Sequence, residues 1–323
     1  MILNVRNTVF LFGIAALSFY ACRKNASPTN QAPPPIISTK EKIVMRQVLN
    51  FPGIGRQMPL ALSINTKGYV GLGNSIGDII YNDLWEFNPD GNTWKRLADF
   101  PGKAKGLRTS FAIGDKGYVV NGICDCNEFW EFDPSKNVWT RRADFPIPDL
   151  YWSTAFTING KAYVGTGLSR GASISDLWEY DPKTDKWTKK ASRPGPAVDA
   201  AIGFSINDKG YTVGGSHEGN WTQTVWKYDP LQDAWTKMKD FPQFPGLDAE
   251  PAFVLSNKAY VRSRAGFWIY DPKIDGWSQY YDFEVCTSIG ANGFLIGDKG
   301  YVGLGTSSYT VYPTDFWEFS VTK

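Results

Sequence analysis

Histidine is almost missing from this 323-residue chain: the single copy is His217. Ser-His-Asp catalysis would have to run through it, and no nucleophile-elbow pattern is present. Cysteine is scarce too, with four residues: Cys22, Cys124, Cys126 and Cys286. Cys124-Asp-Cys126 is too close a pair for a zinc site, with no second pair and no histidine partner in sequence. No metal and no cofactor is therefore expected. Helical periodicity is nearly absent, and no Gly-rich phosphate loop precedes a helix. Charge of one sign is not in excess either. Lys plus Arg number 34 against 32 for Asp plus Glu, a formal net charge of +2. That is no electrostatic case for nucleic acid, and the basic residues are scattered through turns and strand ends. A membrane-spanning run is also lacking. The apolar stretch from Thr8 to Tyr20 is too short for a stable anchor.

Aromatic residues are abundant, at 15%, and a repeat accounts for them. Glu128 to Pro146 reads as a strand, a tight turn and a second strand. Asp133-Pro134 opens the turn, and Asn137 suits the left-handed position that returns the chain. The pattern recurs. Trp85-Glu-Phe-Asn-Pro is followed by Trp94, Trp178-Glu-Tyr-Asp-Pro by Trp187, Trp226-Lys-Tyr-Asp-Pro by Trp235, and Trp268-Ile-Tyr-Asp-Pro by Trp277. Two residues before each second Trp stands Asn92, Asn137, Asp185, Asp233 or Asp275. A sixth copy starts at Trp317-Glu-Phe. A second signature ends at Tyr69, Tyr118, Tyr163, Tyr211, Tyr260 and Tyr301, spaced by 41 to 49 residues. Such a period marks a propeller with four strands per blade.

The repeats resemble the kelch family, from about residue 43 to the end. The resemblance implies an all-β, six-bladed propeller with four antiparallel strands per blade. It leaves function open, because such rings serve many purposes. Copper chemistry of the galactose-oxidase kind, which the resemblance raises, needs two histidines, and one cannot supply it. Residues 43–52 align with the outer strand of the repeats and place Met45 in the Trp slot. The last repeat lacks that strand, so the N-terminal strand is expected to complete the sixth blade and close the ring. Of the thirteen Trp, eleven fall on the two repeat positions and are expected to pack between blades.

Residues 1–22 read as an export signal ending at Ala21-Cys22. The junction resembles a bacterial lipoprotein processing site, although Phe19 and Tyr20 depart from its usual residues. Lipidation of Cys22 would anchor the protein to a membrane; cleavage after Ala21 would release it. Either way export to the cell envelope is expected. Residues 23–40, rich in Pro, Ser, Asn and Thr, read as a tether, and 41–323 as the propeller. No oligomerisation element is visible, so a monomer is expected. After Cys22 an odd number of cysteines remains, which leaves one unpaired in the absence of a partner. A Cys124–Cys126 bridge sits near the upper limit of Cα separation for strand residues, so loop or buried thiols are the preferred expectation.

The loop after each second strand and the connection between blades emerge on one face. That face is where kelch proteins commonly bind ligands. Trp152 and Trp221, the two Trp outside the repeat, lie on it and are candidates for ligand stacking or for a lid over the core. His217 shares a loop with Trp221 and reads as a candidate or as an ordinary polar residue. Arg56, Arg108, Arg170, Asp199, Glu250, Arg262 and Arg264 also point to this rim. Arg262 and Arg264 stand where other blades have Gly, and an ion pair with Glu250 or anion binding would explain them. Gly at the ends of the second strands is expected to let strands crowd near the axis. Three functions are carried forward: a non-catalytic glycan- or protein-binding module, a sugar-modifying enzyme such as a sialic-acid epimerase, and a protein scaffold. For the enzyme, Glu250 with Arg262 or Arg264 would be the acid–base and carboxylate-binding groups.

Overall fold

The structure is a computed structural model. It describes residues 42–322 apart from 76–78, 104–105, 107–108, 121, 125, 243–250, 264–265, 281–289 and 307–310. The signal and tether calls, and those on Cys22, Arg108, Glu250, Arg264 and Cys286, lie outside the described residues.

The described chain is strand, turn and loop. Six four-stranded antiparallel sheets are present. In the first, Leu60–Ile64, Lys67–Gly71, Leu84–Asn88 and Thr93–Arg96 follow one another from the inner to the outer strand. The last sheet takes its outer strand from the N-terminal side: Lys42–Gln47 pairs with Phe316–Thr322. Met45 lies opposite Phe319, the register that Trp94 has with Phe87. The Trp-slot alignment read from the sequence is thus the observed one. Each inner strand packs on the next, and Asn292–Ile296 packs on both Ala252–Leu255 and Leu60–Ile64.

Two local devices build each sheet. Asp133 accepts from the backbone N–H of Ser135 at 3.0 Å, and Asp181, Asp229 and Asp271 do the same two residues on. This Asx turn, with Pro fixing φ behind it, reverses the chain. Asn92, Asn137, Asp185, Asp233 and Asp275 then adopt φ of 45 to 54°, the left-handed region that short polar side chains tolerate. The conserved shape of the second strand comes from its Tyr. Tyr69, Tyr118, Tyr163 and Tyr301 are buried and donate to Glu86, Glu131, Glu179 and Glu318 on the neighbouring strand. Burial and the adjacent carboxylate both push these phenols up, so they stay neutral donors.

Neighbouring sheets are joined by the same residues that make the turn. Asn137 Oδ1 accepts from the Ala98 N–H at 2.8 Å, and Trp139 Nε1 donates to the Ala98 carbonyl at 3.1 Å. Both polar groups of one residue in the preceding sheet are therefore captured. Asn92 with Trp94 does this to Leu49, Asp185 with Trp187 to Ala143, Asp233 with Trp235 to Ala191, and Asp275 with Trp277 to Lys239. The indole also stacks edge-on against the Phe that ends the preceding sheet: Phe100–Trp139 at 5.0 Å, Phe145–Trp187 at 4.7 Å, Phe241–Trp277 at 4.9 Å. This is the inter-blade packing expected of the repeat Trp residues.

Trp139→Ala removes both the stack and the hydrogen bond, and is expected to cost about 3–5 kcal/mol in denaturant unfolding. A chain beginning at residue 52 loses the outer strand beside Phe316–Thr322. It should melt lower by calorimetry and self-associate on a sizing column, because a paired edge becomes a free one.

Candidate functional site

The face that carries the inter-sheet connections has its own layer of short pairings. Gln57 bridges to Asn74, Tyr151 pairs with Leu168, and Asp199 bridges to Ser216. Each links a connection to the loop that leaves the second strand of the following sheet. The loop reaches its partner through a sharp bend. Leu72-Gly73, Thr166-Gly167 and Gly214-Gly215 all have positive φ at both residues. A Cβ on Gly73, Gly167 or Gly215 would come within 2.7–2.9 Å of the carbonyl oxygen of Gln57, Tyr151 or Asp199. These glycines serve φ and backbone approach to the connection. The expectation of crowding between strands holds one step earlier: a Cβ on Gly71 or Gly165 would lie 2.1–2.2 Å from the carbonyl of Asp83 or Asp176.

The next residue of each connection turns inward. Met58, Trp152, Ala200 and Gly290 hold equivalent positions before their inner strands, with φ of 50, 51, 52 and 66°. The Met58 N–H donates to the Gly290 carbonyl and the Ala200 N–H to the Trp152 carbonyl, both at 2.8 Å. Each link runs from one sheet to the next around the ring. A left-handed conformation costs a non-glycine residue of order 1–3 kcal/mol. Here the hydrogen bonds on either side impose it on three.

Met58, Trp152, Asp199, Ala200, Ser216, Gly219 and Trp221 line one cavity of about 220 Å³. Its walls come from the first, third and fourth sheets and their connections, so it lies across the inner ends of the blades. Trp221 arrives on a two-residue strand, Asn220–Trp221, paired with Ser216–His217. Glu218 and Gly219, at φ of 50 and 79°, make the tight turn between them. Trp152 packs on Tyr151 with ring centroids 5.7 Å apart.

Asp199 is the charged group of this wall, at 7% exposure. Its backbone exchanges both hydrogen bonds with Ser216, at 2.8 and 2.9 Å, which fixes the side chain. Ser173 Oγ, from the hairpin of the preceding sheet, donates to Oδ2 at 3.1 Å. Burial pushes the carboxyl above its usual range; the Ser173 bond opposes this only in part. Burial also raises the neighbouring Tyr151 phenol, with smaller contributions from Asp149 and Asp199.

The other candidates lie elsewhere. His217 Nδ1 donates to the Ala197 carbonyl at 2.8 Å, which fixes its tautomer and ties the hairpin to the connection. Arg56 is fully buried, at 0% exposure. It donates to the Ile54 and Leu72 carbonyls, pairs with both oxygens of Asp83, and its guanidinium lies 4.1 Å from the Tyr81 ring centroid. Its guanidinium holds a connection to a loop. Arg170 is exposed at the tip of the Leu168–Ser173 turn, with φ of 50°. Arg262, at 1% exposure, sits on a strand paired directly to the next one, opposite Phe267. The structure thus brings Trp152, Trp221 and Asp199 together and places Arg56, Arg170 and Arg262 apart from their cavity wall.

Two features run against or beyond the sequence reading. Cys124 and Cys126 form a disulfide with Cα atoms 5.0 Å apart. The expectation of thiols assumed an extended strand; the chain bends here, and Asp149 accepts from the Cys124 N–H at 3.1 Å while its own N–H donates to the Cys126 carbonyl at 2.7 Å. Arg193 was not singled out. It stands in the slot that holds Phe51, Phe100, Phe145 and Phe241 in other sheets and is buried at 3% exposure. It donates to Thr212, Thr224, Pro194 and Pro196, and burial pushes its guanidinium down to about 10. The signal is in the sequence: Arg193 replaces a Phe, Thr212 a Val and Thr224 an acidic residue of the repeat, three changes at one junction. The result is a latch at the root of the connection that carries Asp199.

Asp199 binds a proton more tightly folded than unfolded. Between the ordinary Asp pKa of about 3.9 and its raised native value, the folded state holds more protons, so stability falls as pH rises through that window. At pH 7 the ionised form costs stability. Asp199→Asn keeps an acceptor for Ser173 and is expected to raise Tm by about 1–2 °C near neutrality, and by less at pH 4, in scanning calorimetry.

Comparison with known proteins fits this architecture. The model for the Kelch motif matches residues 205–242. An N-acetylneuraminate epimerase of Pasteurella multocida (strain Pm70) is 33% identical over 92 residues, 27% of this chain and 24% of the relative. The chain thus matches about a quarter of that enzyme's length. The structure of YjhT superposes with a TM-score of 0.70 at 15% identity, covering 85% of this chain and 99% of that one. By its sheets, its repeat and these likenesses, the chain has the fold of a kelch-type β-propeller.

Proposed function

We propose that this propeller is a non-catalytic binding module that takes a small sugar, free or at the end of a glycan, in the cavity between Trp152 and Trp221. The observation that carries the reading is where these two residues stand. They are the Trp outside the repeat, and both line the one cavity that also holds Asp199. Flat indole faces match the apolar faces of a pyranose, and Asp199 with Ser216 supplies hydrogen-bonding groups for its hydroxyls. At about 220 Å³ the cavity is below the usual range for drug-sized ligands, so it suits one sugar unit rather than a protein surface.

Envelope display belongs to the same proposal. The exported chain, anchored through Cys22 by the tether of residues 23–40, joins the ring through Lys42. Lys42 pairs with Thr322, at the far end of the outer strand from Gln47 and the connection face.

The partial likeness to an N-acetylneuraminate epimerase supports a second reading, a sugar-modifying enzyme. Proton-exchange or anomer-conversion NMR on candidate sugars would reveal turnover. The binding reading is tested by a glycan array and by saturation-transfer NMR on the full chain beside Trp152→Ala and Trp221→Ala. Each variant is expected to weaken binding at least tenfold, with the wild-type melting cooperativity kept. Unchanged binding in both variants would remove the site from this cavity. Absence of binding to any glycan would shift the assignment to a protein partner that meets exposed apolar side chains such as Ile54, Ile79 and Ile123.

A further inference from the structure

We infer that the sugar taken by this cavity carries a free ammonium group, as an unacetylated amino sugar does, and that Asp199 is its counter-ion. The inference rests on the sugar-binding reading above and narrows its ligand.

Charge in the cavity wall is the starting point. Among the described residues that line it, Asp199 is the one ionisable group. Among the described residues no Lys or Arg pairs with it: Ser173 Oγ is its side-chain donor, and it takes only Oδ2. The described arginines of this face are committed to other partners or exposed. Arg56 is bound to Asp83, Arg193 to Thr212 and Thr224, and Arg170 is exposed on a turn tip.

A carboxylate buried to this degree without a cation is costly, and folded proteins rarely keep one without a use. Nothing in the fold requires it. The same position in the connection is Gln57 before the first sheet and Tyr151 before the third, and both make the same backbone pairing. The acid is thus specific to this cavity. The remaining wall is Met58, Trp152, Ala200 and Trp221, apolar or aromatic. Indole faces attract cations through the ring quadrupole, and a nearby carboxylate completes the charge match. A ligand bearing a carboxylate meets the opposite: like charge in a poorly hydrated site.

The test compares D-glucosamine, D-glucose and N-acetylneuraminate on the full chain by saturation-transfer NMR titration at pH 6.5. Glucosamine and glucose differ chiefly in one group, an ammonium in place of a hydroxyl. Glucosamine is expected to bind about tenfold more tightly than glucose, the difference a charged hydrogen bond makes, and N-acetylneuraminate more weakly than either. Asp199→Asn should erase the preference for glucosamine, so that glucosamine and glucose bind with equal affinity to the variant. Equal binding of glucosamine and glucose, a preference for N-acetylneuraminate, or a preference that survives Asp199→Asn would overturn the inference. If glucose still binds and loses affinity in Trp221→Ala, only the charge assignment fails. If no sugar binds and both Trp variants are silent, the sugar-binding reading fails with it.

Discussion

At five sheet junctions one residue is held at both its N–H and its carbonyl, and the rest of the ring depends on that contact. Ala98, caught between Asn137 and Trp139, shows the arrangement. The acceptor and the donor lie two residues apart on the next sheet, and the left-handed Asx conformation aims both at the same residue. A hydrogen bond contributes about 1 kcal/mol net, and the Trp–Phe stack that accompanies it adds buried area and edge-to-face geometry. Repeated around the ring, this contact sets the angle between sheets. The inner strands then converge, and their connections are brought to one face.

That convergence explains why the site lies where the repeat is broken rather than where it is kept. The Gly bends after the second strands let each loop lie against a connection, and the connection then turns its next residue inward in a left-handed conformation. The repeat needs a backbone of that shape but not a particular side chain. Met58, Trp152, Ala200 and Gly290 therefore differ freely while their backbones agree. Variation at such positions changes the ligand without disturbing the ring, the usual division between a rigid scaffold and its functional loops.

Charge is treated in two ways across the same face. Arg56 and Arg193 are buried and give their donors to the fold: one is neutralised by Asp83, the other surrounded by hydroxyls and carbonyls. Asp199 is buried and has no cation beside it among the described residues, so its ionised form works against stability near neutrality. A structural role accounts for the two arginines. For the aspartate the uncompensated cost is itself the argument for a ligand.

Much of this was legible beforehand. The Trp-to-Trp spacing, the Asx residue two before the second Trp and the buried Tyr depend on local turn chemistry and strand alternation. They specified the strands, the sheet register and Met45 in the Trp slot, because a period-two strand between fixed turns leaves no freedom to slip. The two Trp outside the repeat were also visible by exclusion. Other features were not legible because they depend on distances that close only when sheets meet. Arg56 looks like Arg170 in sequence, yet Asp83 and Tyr81 bury the first and nothing covers the second. Cys124 and Cys126 were judged on extended geometry, and a bend tied down by Asp149 brought them to 5.0 Å. The sequence alone determined the blade, since in five of the six four-stranded sheets the strands pair in chain order, each turn setting the next register. The tertiary structure alone decided which of the seven described candidate residues share a cavity, because Met58, Trp152, Asp199 and Trp221 meet only where separate blades converge.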